Sequence, residues 1–97
     1  MKTIIWTDSA LNSYHENIDY LLRDWTEKEA LNFIDEVEGV LFNLKKGTVE
    51  FKESNYKGIR ECVVCKQITL FYRHIDNNKI ELLRFWGNYN DNNKLRF

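Results

Sequence analysis

Residues 68–86 read ITLFYRHIDNNKIELLRFW, and this stretch decides the fold class. Two runs rich in β-branched and aromatic residues, 68–75 and 80–86, flank a polar segment that begins at Asp76 and ends at Lys79. The Asp and Asn residues of that segment tolerate turn conformations. So short a link joins only antiparallel neighbours, and the stretch therefore predicts a β-hairpin.

Two further strands are predicted upstream of this hairpin. Residues 59–65, IRECVVC, form a β-like run that only Lys66 and Gln67 separate from the hairpin, so we expect a third antiparallel strand there. Lys2 to Trp6 is a short β-branched and aromatic run at the other end of the chain. It predicts the first strand.

Between these strand segments, the spacing of apolar residues becomes helical. Residues 11 to 25 repeat apolar side chains at steps of three and four, which predicts a helix from about residue 8 to residue 23. Thr7, Asp8 and Ser9 stand at its start as candidate N-caps. The same spacing returns between residues 30 and 44 and predicts a second helix.

The second helix carries its own start and stop signals. Thr26 and Glu29 form a T-x-x-E capping box, and Gly47 follows two lysines that suit a helix C-terminus. Gly39 interrupts the helix at a cost of about 1 kcal/mol relative to alanine, so we expect another element to approach closely there. Because the link between the helices is very short, they should form an antiparallel hairpin.

These segments give the element order β-αα-βββ and an α+β fold class. We expect one domain over residues 1–97, in which the N-terminal helical hairpin packs on one face of an antiparallel sheet and leaves the other partly open. No run approaches the roughly 20 apolar residues that cross a bilayer, and residues 1–6 are too short a run for an export signal. A cytoplasmic location without a membrane partner is the expectation.

Charge is divided unevenly along the chain, although the net charge is only −1. Residues 1–44 hold 3 basic and 9 acidic side chains, a net of −6, whereas residues 45–97 hold 11 basic and 6 acidic ones, a net of +5. A basic second half suits an anionic target. The alternative is that the two halves complement each other across the fold.

The cysteines have the C-x-x-C spacing of zinc ligands and redox dithiols, at Cys62 and Cys65. On a strand, however, residues three apart point to opposite faces, and only His15 and His74 could complete a metal site. We therefore expect reduced thiols, no metal site and no cofactor. The two histidines have no nucleophile beside them and are expected to be surface or structural residues.

The arginines are the strongest candidates for binding. Arg60, Arg73 and Arg84 fall one on each of three consecutive predicted strands, and they converge if they share a face. Guanidinium groups bind phosphates and carboxylates through paired hydrogen bonds. Trp86 and Tyr89 add flat rings on which a base could stack. Further positive charge comes from Lys57, Lys66, Lys94 and Arg96.

A purely structural interpretation of the same residues stays open. Each arginine could pair with a nearby carboxylate such as Glu61 or Glu81, and Trp86 could complete the core. Scattered surface arginines are common in soluble proteins, so the sequence alone leaves both interpretations standing.

Several stretches together resemble the RelE/ParE superfamily of bacterial type II toxins. They are the segment from IIWTDS to FNL at 4–44, GIRECVV at 58–64, residues 68–86, and the tail GNYNDNNKL at 87–95. The resemblance rests on element order, lengths and the Tyr72–Arg73 pair, and it covers nearly the whole chain. It implies a curved antiparallel sheet under a helical hairpin, and a growth-inhibiting toxin with a cognate antitoxin.

The resemblance also assigns candidate site residues. Arg60 falls where the family keeps a basic residue, and Arg73, Arg84 and Tyr89 match its working face. Thr69, however, occupies a place where ribonuclease members usually carry a catalytic arginine. The tail has no histidine, so Tyr89 is the one candidate general base, and a tyrosine with pKa near 10 needs strong cationic help for that role.

These departures favour ParE-like inhibition of DNA gyrase as part of a plasmid-stabilisation system. The first alternative is a ribosome-dependent mRNA endonuclease that uses Arg60, Arg73, Arg84 and Tyr89. The second is a non-toxic module that binds only an antitoxin or another copy of itself. Expected partners are therefore an antitoxin and either gyrase or the ribosome with its mRNA, with a homodimer left open.

Overall fold

The computed structural model describes all 97 residues. Its elements follow the predicted order. They are β1 (Thr3–Trp6), α1 (Asp8–Asp24), α2 (Glu27–Lys46), β2 (Arg60–Cys65), β3 (Ile68–Asp76), β4 (Lys79–Gly87) and a short 3₁₀ turn (Asn92–Lys94). None of the helices has the length and apolar character needed to cross a bilayer.

The four strands form one sheet in the order β1-β4-β3-β2. The predicted antiparallel pairing holds for β2 with β3 and for β3 with β4, whereas β1 lies parallel to β4. The sheet is therefore mixed, and the expectation of a wholly antiparallel sheet is corrected at this one pair. The physical reason is the connection: tight turns force antiparallel neighbours, but a long link that contains helices permits a parallel pair.

Side-chain caps define the ends of the helical hairpin as the sequence predicted. The Thr7 hydroxyl accepts a hydrogen bond from the backbone N–H of Ala10 (3.0 Å), and the Thr26 hydroxyl accepts one from that of Glu29 (3.2 Å). Gly47 ends α2 in the left-handed conformation, with φ of 71°. Each cap satisfies backbone groups that the helix itself leaves unpaired.

Gly39 does not have the role that the sequence suggested. It is exposed on α2, and a Cβ built on it would have no heavy atom within 4 Å. The expectation of a close approach at this glycine is therefore wrong. The apolar stripe of α2 faces the sheet, whereas Gly39 points to solvent.

The main core lies between the hairpin and one face of the sheet. Tyr72 is fully buried at its centre, and its hydroxyl accepts a hydrogen bond from the backbone N–H of Phe51 (3.1 Å). The core consists of Ala10, Leu21, Ala30, Phe33, Val37, Leu44, Val64, Ile68, Leu70, Tyr72, Ile80, Leu82 and Phe85.

One half of β4 has a helix, not a strand, along its outer edge. β1 pairs with β4 only from Lys79 to Leu82, and beyond this point α1 takes over the hydrogen bonding. The Ser13 hydroxyl accepts from the Phe85 N–H (2.9 Å), and the Asn17 side-chain amide donates to the Phe85 carbonyl (2.9 Å). Two buried polar side chains thereby satisfy a strand edge that would otherwise be unpaired.

The C-x-x-C cysteines are both free thiols, but they do not point to opposite faces as predicted. Cys62 is opposite Leu70 on the hairpin side, and Cys65 packs against the same core because a bulge between Val63 and Cys65 shifts the register. Burial raises the pKa of Cys62 to about 11 and also raises that of Cys65. These are protonated, unreactive thiols at neutral pH.

Candidate functional site

The open face of the sheet carries a small cleft between β3, β4 and the chain after β4. This open-face cleft has a volume of about 330 Å³. Its walls contain one carboxylate, four asparagines and no lysine, arginine or histidine. The lining residues are Asn55, Tyr56, Glu61, Thr69, Phe71, Trp86, Asn88, Asn92, Asn93 and Leu95.

Residues 88–97, here called the tail, close much of this cleft. The indole N–H of Trp86 donates to Asn92 Oδ1 (2.9 Å), and Leu95 is buried against Trp86 and Phe71. The ring of Phe97 lies 5.1 Å from that of Phe71, centroid to centroid. Phe71, Trp86 and Leu95 form a small apolar cluster on the open face. Because Trp86 is only 8% exposed, it packs inside this cluster and offers no free ring face.

Arg60 lies on the face that the helical hairpin covers, because its register partner is the buried Tyr72. One of its terminal nitrogens donates to the Phe51 carbonyl (2.6 Å), and Nε lies 3.1 Å from Glu50 Oε1. A second carboxylate, that of Glu53, is 3.8 Å away. This guanidinium is held by the loop that precedes β2.

Arg73 lies on the open face and is also paired with a carboxylate. Its Nε donates to Glu81 Oε1 at 2.7 Å, and Glu81 is its register partner on β4. The side chain is half exposed, and the ion pair crosses two neighbouring strands. The predicted pairing of an arginine with Glu81 is confirmed here.

Arg84 has no such partner. Its register places it beside Phe71, at the margin where the sheet meets α1. No carboxylate lies within 4 Å of its guanidinium, and its buried Nε has no hydrogen-bond acceptor. It lines two adjoining clefts beside α1, of about 410 and 320 Å³.

The structure therefore places the three arginines in three different surroundings. Arg60 lies under the hairpin side, Arg73 is paired across the open face, and Arg84 lies at the α1 margin. Of the other predicted binding residues, Lys57 is exposed in the loop before β2. Thr69 is buried, and its hydroxyl donates to Asn88 Oδ1 (3.1 Å).

Tyr89 stands beside α1, away from Arg60 and Arg73. Its ring stacks on that of Tyr20 with centroids 3.8 Å apart, and its hydroxyl donates to Asn17 Oδ1 (3.3 Å). Burial, followed by the nearby Tyr20, raises the pKa of Tyr89, and the lowering effect of Arg23 does not offset this. A raised pKa makes this hydroxyl a poorer general base than free tyrosine.

Sequence reasoning missed the residues of α1 that position Arg84 and Tyr89. Ser13, Asn17 and Tyr20 follow each other at steps of four and three, on the side of α1 that meets the end of β4. Polar side chains at helical spacing next to an apolar stripe were the available signal. No group of three or more His, Cys, Asp or Glu side chains is arranged to hold a metal ion.

The fold corresponds to a known class of small bacterial proteins. Residues 4–88 match the family model described as the ParE toxin of type II toxin-antitoxin system, parDE. The chain belongs to this family, and the sequence-based resemblance to RelE/ParE toxins is confirmed. A search of the curated proteins found no match.

Solved structures with the same fold share little sequence with the chain. A chain of the chromosomal ParDE system from P. aeruginosa has a TM-score of 0.71 at 17% identity, covering 90% of this chain and 96% of that one. A YoeB/ParE toxin from Agrobacterium tumefaciens has a TM-score of 0.62 at 16% identity, covering 92% and 100%. A chain of the E. coli DinJ–YafQ complex has a TM-score of 0.60 at 12% identity, covering 90% and 93%.

Proposed function

We propose that this toxin stops growth by binding a macromolecular target and that a ParE-like action on DNA gyrase is favoured over cleavage of mRNA. The observation that carries the proposal is the open-face cleft, whose walls contain no cationic side chain. In the cell that makes the toxin, its partner is a cognate antitoxin protein. The toxin acts in the cytoplasm.

RNA cleavage makes chemical demands that this face meets poorly. When a ribose 2′-OH attacks the adjacent phosphate, negative charge builds on the phosphate oxygens, and enzymes stabilise it with fixed cations. On this face Arg73 is paired with Glu81, while Arg60 lies on the opposite face beside Glu50. The unpaired Arg84 lies at the α1 margin and does not line the open-face cleft. Thr69 stands where the resemblance would place a catalytic arginine.

The tail also offers no side chain that is well suited to general acid–base catalysis. The tail has no histidine, and the pKa of Tyr89 is raised by burial. A positioned acid or base contributes about 10²- to 10⁴-fold to such reactions, so its lack is a large deficit. Binding to a protein target needs neither group, which is why we favour inhibition by binding.

The antitoxin proposal draws on family membership and on two of the similar structures. Those are described as a ParDE system and as a DinJ–YafQ complex. We expect a small open reading frame next to this gene whose product binds the toxin and relieves growth arrest. Normal growth at confirmed soluble expression of the toxin alone would argue for the non-toxic binding module instead.

The test compares two readouts in cells that express the toxin from an inducible promoter. Gyrase-linked DNA breaks without new mRNA 5′ ends on ribosomes support the proposal. Codon-phased mRNA cuts without such breaks overturn it in favour of the endonuclease.

Tyr89→Phe supplies a matched variant for this comparison. It removes the hydroxyl and keeps the ring that stacks on Tyr20. We expect growth arrest to be unchanged within about twofold, because binding does not use the proton of that hydroxyl. A loss of roughly 10²-fold or more, the size of a general-base effect, would point to the catalytic alternative.

A further inference from the structure

A cleft between α1 and the tail contains a guanidinium without a partner. Arg84 lines both parts of this cleft, here called the Arg84 cleft, whose combined walls also include Ser13, Asn17, Tyr89 and Asn90. The remaining charged side chains on its walls are Glu16, Asp91 and Lys94. The cleft is separate from the open-face cleft, with which it shares only Trp86.

The state of Arg84 is unusual within this chain. Arg23, Arg60 and Arg73 each lie within 4 Å of a carboxylate, and Arg96 donates to the backbone carbonyls of Asn93 and Leu95. Arg84 does neither, and its Nε is buried without an acceptor. The buried Nε is closed to an incoming group, but the terminal nitrogens of Arg84 are not buried and make no hydrogen bond within the chain, so they can bind an acceptor.

The rigid surroundings of Arg84 favour a preformed binding site. Ser13 and Asn17 are buried and hydrogen-bonded to Phe85, the next residue on β4, which holds α1 against the strand. Tyr89 is fixed on the other side by its stack on Tyr20. The guanidinium therefore shares its cleft with side chains that are already anchored, so the site needs little reorganisation to bind.

We propose that the Arg84 cleft binds the carboxylate of an Asp or Glu side chain on a partner protein. The planar guanidinium fork matches a carboxylate bidentately. Asn90 is also on the wall and can donate from its amide.

The charges around the cleft favour a protein carboxylate over a nucleic acid. Glu16 and Asp91 line it together with the two cations, so its walls are balanced and not strongly positive. The N-terminal region that forms α1 and α2 is acidic, with 9 acidic against 3 basic residues up to residue 44. A polyanion approaching α1 would be repelled, whereas a single carboxylate can form two hydrogen bonds with the Arg84 guanidinium.

This inference rests on the proposed function only for the statement that a partner protein exists. Its test therefore measures binding directly and does not use toxicity. The ¹⁵N-labelled full chain is titrated with N-acetyl-glutamate N-methylamide, with the neutral N-acetyl-glutamine N-methylamide as control and inorganic phosphate as a third probe. The readout is the Arg84 Nε–H resonance together with the side-chain amide of Asn90.

We expect the carboxylate probe to shift both resonances and the neutral probe to shift neither. Arg84→Lys keeps the charge but loses the fork, and it should weaken binding about tenfold or more. Arg73→Lys is the matched control, because Arg73 is already paired with Glu81, and it should leave the affinity unchanged.

Three outcomes would overturn the inference. A larger response to phosphate than to carboxylate would identify a phosphate or nucleic-acid site. No response of the Arg84 Nε–H in the wild-type chain would exclude a carboxylate site, whether or not the lysine variant folds. The third outcome is that the Arg84 resonance moves in Glu16→Gln but does not respond to the probe. Glu16 would then pair with Arg84 itself and block the cleft.

Discussion

The ring of Tyr89 folds back over the backbone of Gly87, two residues earlier in the chain. A Cβ at Gly87 would overlap ring atoms of Tyr89, including Cδ1 at 2.8 Å. The glycine is therefore required for space, since the tyrosine can stack on Tyr20 and reach Asn17 only from this position. One missing methyl group thus determines where the tail leaves the sheet.

Gly87→Ala should lower the free energy of unfolding by about 1 kcal/mol, at the low end of the cost of overpacking, because the half-exposed Tyr89 ring can move away. Urea denaturation measures this cost. The ring resonances of Tyr20 and Tyr89 should move together, because their stack is broken.

The matched control for this variant is a double-mutant cycle with Tyr89→Ala. In the Tyr89→Ala background, Gly87→Ala should cost little, since the ring that it displaces is gone. An equal cost in both backgrounds would mean that Gly87 serves the backbone and not the tyrosine.

At the end of β4, side chains of helix α1 make the hydrogen bonds that a neighbouring strand would otherwise make to the β4 backbone. Ser13 and Asn17 pair with the backbone of Phe85 across 72 and 68 residues of sequence. They also keep α1 close to Arg84 and Tyr89. The candidate binding surface therefore depends on two small polar side chains of one helix.

Ser13→Ala should lower the free energy of unfolding by about 1–3 kcal/mol, because the buried Phe85 N–H loses its acceptor. Amide hydrogen exchange at Phe85 should accelerate by the corresponding factor. Ser9→Ala is the matched control one turn earlier, and it should change neither quantity. Unchanged exchange at Phe85 in Ser13→Ala would contradict the role given to this hydroxyl.

Gly39→Ala on α2 should raise the free energy of unfolding, in contrast to Ser13→Ala. The position is exposed, helical and free of neighbours within 4 Å, so alanine adds helix propensity without a clash. We expect a gain of about 0.5–1 kcal/mol in the free energy of unfolding, measured by thermal or urea denaturation. A loss of stability would restore the sequence-based idea of a close approach at this glycine.

At the scale of the whole molecule, one carboxylate contacts two strands of the sheet from the loop before β2. Glu50 accepts contacts from Arg60 (3.1 Å) and His74 (2.8 Å), residues of β2 and β3. The hydrogen bond with His74, followed by the nearby positive charges, lowers the pKa of Glu50 below its usual 4.5. Protonation of Glu50 thus loosens a contact between three segments.

This shift predicts the acid dependence of stability. A carboxyl whose pKa is lower in the folded state stabilises the fold above its unfolded pKa, and the contribution disappears as pH falls through the folded pKa. The free energy of unfolding should therefore fall more steeply below about pH 4.5 in the wild type than in Glu50→Gln. Asp35→Asn, an exposed carboxylate in no ion pair, should keep the wild-type slope.

Most of the fold could be predicted because its signals are local. Thr26 caps its helix from three residues away, and the β3–β4 hairpin turns at Asn77 and Asn78 as its polar segment indicated. The direction of β1 could not be predicted, because its pairing with β4 joins Thr3 to Lys79 without any short turn. The bulge at Cys65 was equally invisible, since strand periodicity assumes an unbroken register.

The strand on which each candidate arginine lies could be predicted, but the arrangement of their side chains could not. Arg60, Arg73 and Arg84 were found on three strands, yet the face of Arg60 depends on its register with Tyr72. A shift of one residue would have moved it to the open face. Two interpretations of Trp86 were left open, a free ring for stacking and a core residue, and the structure agrees with the second because Leu95 of the tail covers it.

The helix caps and the tight hairpins could be read from the chain because they depend on neighbours a few residues apart, and the family could be read from the order and lengths of the elements. The carboxylates beside Arg60 and Arg73, and the lack of any partner for Arg84, follow from tertiary packing. It also decided that Tyr89 stands against α1, through a bond to Asn17 across 72 residues. Such contacts depend on packing between distant segments, which no local pattern encodes.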